Sequence, residues 1–121
     1  MITIFNDIQF MLAPYEKGSV TKVGGQGGQV SLISFKDVEI AGRKRSELCF
    51  SSLLIQKGYV GFYFMPVYVE PEMKAVLGAE LLKTLKGKSC FHIMSRSPVI
   101  YAQIGEALKF GYQEWVKKGW I

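Results

Sequence analysis

The chain has few of the residues that stabilise or functionalise many small proteins. It has two cysteines, Cys49 and Cys90, and no C-x-x-C spacing. A small secreted domain would carry many paired cysteines, so a disulfide framework is excluded, and the two thiols read as small core hydrophobes. It has a single histidine, His92, whereas a metal centre needs about four ligands, or three and an open position. It has no long apolar run. Leu53-Leu54-Ile55 is short, and Val60 to Val69 is interrupted by Gly61 and Pro66. Both fall well below the roughly 20 residues needed to span a bilayer. Met1 to Leu12 holds Asp7 but no Lys or Arg. It therefore lacks the positive start of a secretory signal, and the cytoplasm is the expected location. The chain also lacks an acidic excess. Its net charge of +5 argues against a metal-collecting acidic surface and favours an anionic partner.

What is present makes a complete plan for one domain over residues 1–121. Of the 121 residues, 49% are hydrophobic and 21% charged, so the chain can bury a core unaided. The positive charge comes from Arg43-Lys44-Arg45, Lys83, Lys86, Lys88 and Lys117-Lys118. It is less concentrated than a nucleic-acid protein needs and reads as solvated loops and helix ends.

Ile4, Phe5, Ile8, Met11 and Leu12 recur at helical steps over Ile2 to Ala13, and Pro14 stops that helix. Gly18 to Gly28 reads as a loop or loose hairpin. Its glycines could cradle phosphate only if a helix followed, but Gln29 to Phe35 alternates like a strand. Asp37 to Ile40 is a short strand and Gly42 to Arg45 a basic turn. Glu47 to Gln56 and Tyr59 to Met65 are strands joined at Lys57-Gly58, where the glycine supplies positive φ. Val67 to Glu70 is an extended exit between Pro66 and Pro71, Glu72 to Leu77 one helical turn, and Ala79 to Leu85 a short helix capped by Gly87. Lys88 to Ile93 is a strand whose inward set is either Cys90 and His92 or Phe91 and Ile93. Ser97-Pro98 opens the last helix as N-cap and first residue. Its stripe runs from Ile100 to Val116, Gly119 ends it, and Trp120-Ile121 folds back. The fold class is α+β, an antiparallel sheet packed on one face by N- and C-terminal helices. The exposed sheet edges, with Trp120, leave room for a homodimer.

No catalytic constellation emerges. Cys90 and His92 form C-x-H and share a strand face, with Cys49 as a conceivable third metal ligand. No acid stands ready to orient the histidine for nucleophilic work. Gly87-Lys88-Ser89 resembles the end of a phosphate loop, but Leu82 stands where the motif requires glycine. Glu70 and Glu72 read as exposed carboxylates in a loop. Tyr59 and Tyr63, with Arg43 to Arg45, are the best candidates for a base-stacking platform.

From residue 47 to the end the chain resembles the YdhG-like domains, a bacterial family of unknown function. The resemblance is carried by Gly58 to Tyr68 (GYVGFYFMPVY), Leu85 to Ile93 (LKGKSCFHI) and the closing Gly119-Trp120-Ile121. It implies a compact α+β fold that has been compared to frataxin, and it supplies no catalytic residues. The expected function is a non-enzymatic binding or interaction module, without a cofactor, for a small anionic ligand or a protein partner. The candidate site is Met65, Pro66, Tyr68, Lys86, Lys88 and Ser89. The alternative that the resemblance implies is an intracellular iron or metal chaperone of frataxin type.

Overall fold

The computed structural model describes all residues, Met1 to Ile121. Helix α1 (Ile2–Leu12) runs into a 3-10 turn at Ala13–Tyr15. Strands β1 (Val20–Gly24) and β2 (Gln29–Ser34) follow, then a short hairpin of β3 (Val38–Ile40) and β4 (Arg43–Arg45). The long strands β5 (Leu48–Gln56) and β6 (Tyr59–Phe64) lead into α2 (Met65–Val69), a 3-10 segment at Pro71–Val76 and α3 (Ala79–Leu82). Strands β7 (Leu85–Lys86) and β8 (Cys90–Ile93) precede the long α4 (Pro98–Lys117). The main sheet has six strands in the order β1-β2-β5-β6-β8-β7, and β3-β4 stands apart from it. Every pairing is antiparallel. The α+β class with terminal helices is thus the observed fold. No helix is long and apolar enough to cross a membrane.

Strand periodicity assigns the two faces of the sheet. Val30, Leu32, Leu53, Val60, Phe62, Phe64, Phe91 and Ile93 are buried, with Ile4, Phe5, Ile8 and Leu12 of α1 and Ile104, Leu108 and Trp115 of α4 in the same core. This resolves the choice in β8: Phe91 and Ile93 point inward, while Cys90 and His92 point outward. Two buried hydroxyls are satisfied internally. Ser51 donates to the Tyr63 carbonyl at 2.8 Å, and Ser34 donates to the Ser19 hydroxyl at 3.0 Å.

Strand β5 changes phase partway along. Ile33 pairs with Cys49 and Leu32 with Ser51, so Phe50 is an extra, bulged residue. Phe50 is fully buried. Its ring lies 5.5 Å from Trp115, 6.0 Å from Phe64 and 6.0 Å from Tyr112. The bulge allows Leu48, Phe50, Ser51 and Leu53 all to face the core.

Helix α4 begins as its sequence predicts, with the Ser97 hydroxyl accepting from the Ile100 amide at 3.2 Å. It ends with Gly119 at φ +77°, and the Trp120 amide donates to the Trp115 carbonyl at 2.9 Å, which folds Trp120 onto the core. A side chain on Gly111 would meet Phe64 at 2.6 Å and Pro66 at 3.0 Å, so the helix approaches the sheet where only hydrogen fits.

Four local expectations require correction. Val67 to Glu70 is not an extended exit, because Met65–Val69 is helical. Pro66 occupies the first turn, where its missing N–H costs nothing and its fixed φ suits a helix. The short helix stops at Leu82, and the Thr84 hydroxyl donates to the Leu81 carbonyl at 2.7 Å. Leu85-Lys86 then pairs with Phe91 and Cys90, so Gly87 (φ +74°) serves a hairpin turn rather than a helix cap. Arg43 to Arg45 is not a turn but a strand, and the turn lies at Ala41 (φ +53°) and Gly42 (φ +78°). Two successive positive φ values give the twist that a tight hairpin favours. Gly18 to Gly28 contains a paired strand, β1, at one edge of the sheet.

Candidate functional site

The β3-β4 hairpin lies across one end of the sheet and forms the wall of a groove of about 540 Å³. Ile40, Ala41, Arg43 and Arg45 come from the hairpin, Leu48 and Cys49 from the start of β5, Met65, Tyr68 and Val69 from α2, and Trp115 from α4, with Glu47 beside them. The volume suits a small molecule, and the lining is apolar with a few polar groups, as ligand sites usually are.

Cross-strand pairing explains the arginines. Val38 pairs with Arg45 and Ile40 with Arg43, so these four share one face of the hairpin, while Glu39 and Lys44 share the other. Val38 and Ile40 pack on the core, which turns the face bearing both guanidinium groups toward the groove. Neither arginine forms an ion pair; the four ion pairs of the chain are Lys83–Glu80, Arg96–Asp7, Lys117–Glu114 and Lys118–Glu70. Trp115 is fully buried, and its indole N–H has no hydrogen-bond partner. A buried donor left unpaired costs about 1–3 kcal/mol. Cys49 lies on the groove wall with its thiol pKa raised, first by burial and then by the Glu47 charge, against a lowering contact with Ser52. Its thiolate fraction is therefore lower than that of a free cysteine.

The six residues singled out from sequence separate into three places. Met65 and Tyr68 line the groove. Pro66 is buried beside the α4 glycine and contributes packing. Lys88 reaches toward this end of the sheet, with its Nζ 5.9 Å from the centre of the Tyr68 ring, and the Ser89 carbonyl accepts from the Phe64 amide at 3.0 Å. Lys86 pairs opposite Cys90 and so belongs to the open sheet face. Lys86, Lys88 and Ser89 are not part of the groove lining.

Cys90 and His92 both lie on that open face. The His92 ring stacks on Tyr59 at 3.8 Å and 10°, and Cys90 pairs opposite Tyr63. Burial raises the Cys90 thiol pKa, partly offset by hydrogen bonding to Tyr63. A side chain on Gly61 would meet Tyr63 at 3.2 Å and the Cys90 sulfur at 3.5 Å, so the tyrosine lies over the glycine and covers bare backbone. These aromatics shield the sheet. Tyr59 and Tyr63 are not in the groove with Arg43 and Arg45, so the stacking platform expected from the two tyrosines and Arg43 to Arg45 is not assembled there. No three His, Cys, Asp or Glu side chains stand close enough to hold a metal ion.

Sequence reading named the basic run but not its partner surface. The signal lay in Val38-Glu39-Ile40 followed by Ala41-Gly42, an alternating strand leading into a glycine turn. The role of Trp115 had no local signal, since its position in the helical stripe predicts only core. The chain matches no protein-family model, no curated protein and no solved structure.

Proposed function

We propose that this protein is a non-enzymatic binding module for a small amphipathic organic anion, a carboxylate with an apolar body, held in the groove between the β3-β4 hairpin and α2. One observation carries this reading. Two unpaired guanidinium groups sit on the same hairpin face as apolar residues, over a groove whose inner wall includes a buried indole with a free donor. Arginine forks match carboxylates in bidentate geometry. The apolar walls, Ile40, Leu48, Met65 and Val69, suit a hydrocarbon or aromatic body. The indole belongs to the groove lining, so its N–H reports on occupancy. The iron-chaperone reading has no comparable anchor, because no three His, Cys, Asp or Glu side chains converge.

Octanoate and benzoate are suitable probes, with octylamine as the cationic control. In ¹⁵N-labelled protein the Trp115 indole N–H resonance moves saturably with the carboxylates and not with the amine. The double variant R43Q/R45Q weakens binding by about tenfold or more, as expected when a charge-assisted contact is lost. An indole resonance that stays still up to the solubility limit of both acids would sink the proposal.

A further inference from the structure

The other flank of α4 carries a second concave surface, of about 520 Å³, which shares no lining residue with the groove. It lies between α4 and the segment that follows α1. We infer that this cleft binds an oligophosphate group.

Three lysines converge on it: Lys109 and Lys117 from α4, and Lys17 from the loop opposite. None of the eight lining residues is acidic. The nearest carboxylate to an ammonium is Glu114, half-buried and 3.6 Å from the exposed Lys117 Nζ, and a pair with one partner in water contributes little. Lys17 and Lys109 form no ion pair. Lys17 is nonetheless positioned, with its Nζ 5.1 Å from the centre of the Tyr112 ring. The Tyr112 ring is itself fixed, packing 5.4 Å from Tyr15 and 6.0 Å from Phe50.

The spacing selects the ligand. Lys109, Gln113 and Lys117 follow at steps of four and share one helix face. Eight residues of helix separate the two lysine Cα atoms by about 12 Å. That is wide for a single phosphate but within reach of two flexible four-carbon stems closing on a chain of two or three phosphates. The charges are ammonium groups without an arginine fork, so the site offers rotatable point charges, which suit phosphate oxygens in any orientation. Tyr15 and Tyr112 add ring surface at the same place, so the phosphate chain can be free or carried by a nucleoside.

The test titrates ¹⁵N-labelled protein with pyrophosphate, tripolyphosphate, ADP and inorganic phosphate. Saturable shifts are expected at amides in 15–18 and 109–117, with tripolyphosphate binding at least about tenfold tighter than inorganic phosphate. The exposed double variant K109Q/K117Q weakens tripolyphosphate binding by about tenfold or more, while K86Q/K88Q leaves it unchanged. ADP binding tighter than pyrophosphate identifies a nucleoside carrier, and equal binding identifies a free phosphate chain. R43Q/R45Q should not alter oligophosphate affinity, so failure of the carboxylate groove and failure of this cleft read out separately. Shifts that never saturate, or that K86Q/K88Q abolishes while K109Q/K117Q does not, overturn the inference. Thermal melts of both lysine variants confirm that they fold.

Discussion

Along β6 successive side chains enter two different environments. Val60, Phe62 and Phe64 go under the helices and are fully buried. Tyr59 and Tyr63 go to the open face, where Tyr59 stacks on His92 and Tyr63 covers Gly61. Both faces are rich in aromatic rings. On the covered face the rings fill volume, and tight packing makes each of them costly to remove. On the open face they lie over backbone and over one another and remain partly wet. An aromatic residue in a strand therefore gives no indication of function until its face is known. The outward Cys90 and His92 are neighbours of these shielding rings, His92 stacked on Tyr59 and Cys90 opposite Tyr63.

The comparison can be broken most directly by truncation on each face. Phe62→Ala on the covered face should cost about 3–5 kcal/mol, read as a lower midpoint in urea unfolding. His92→Ala on the open face should cost only about 0.5–1.5 kcal/mol, the worth of an aromatic pair. Equal losses would show that the open face is covered in solution.

Next in size is Gly111→Ala. Alanine gains helix propensity of about 1 kcal/mol over glycine. The added carbon, however, meets the Phe64 ring at 2.6 Å, and overpacking costs about 1–3 kcal/mol. Net destabilisation by thermal melt is the expected result, and a rise in melting temperature would show that the helix can shift away from the sheet.

A smaller effect ties the two terminal helices together. The Tyr101 hydroxyl donates to Asp7 at 2.8 Å, and Arg96 donates to the same carboxylate oxygen at 2.9 Å. These bonds, Tyr101 first, hold the Asp7 pKa below its ordinary value. Burial, then the bond to Asp7, pushes the Tyr101 pKa up to about 12 from 10.0. The signs follow from linkage. The Asp7 contribution is present above its unfolded value of 3.8 and fades as pH falls below it through the folded value. The Tyr101 contribution is present below pH 10.0 and is lost as pH rises through about 12. Tyr15 and Tyr63 are raised as well, so phenolate absorbance should show several tyrosines titrating above 10.0, and Asp7→Asn should move the Tyr101 step back toward 10.0.

The smallest effect concerns the thiols. With both pKa values raised, Cys49 and Cys90, which both turn away from the buried face of their strands, should react with an alkylating agent near pH 7 more slowly than a free cysteine. Rapid modification of Cys90 alone would return the open face to consideration as a reactive surface.

How much was legible from sequence followed from whether the signal was local. The Ser97-Pro98 start of α4, the Gly58 turn and the alternation of β2 are decided by residues close in the chain, and each was readable. Helix α2 was not, because proline at a first turn and proline in an extended segment look alike until Val67 is known to be buried. The hairpin arginines were visible as charge but not as one face of a strand, since that depended on finding the turn one residue earlier. The groove itself draws on Ile40, Cys49, Tyr68 and Trp115, which are brought together only by the fold. The phase of β5 was partly visible. Leu48 and Phe50 follow one parity and Leu53 and Ile55 the other, and only an inserted residue reconciles them.

That inserted residue works as a coupling between two otherwise independent alignments. Beyond Phe50 the strand keeps step with β6, and before it the strand keeps step with the far end of β2. The side chains delivered to the groove wall, Leu48 and Cys49, lie on the near side of this step. Removing one residue at the bulge would exchange their directions, sending the thiol inward and the leucine out, while the hairpin of β5 with β6 stayed as it is. A single deletion would thus re-aim the groove wall while keeping the β5-β6 pairing, with loss of the Phe50 ring that packs on Trp115, Phe64 and Tyr112.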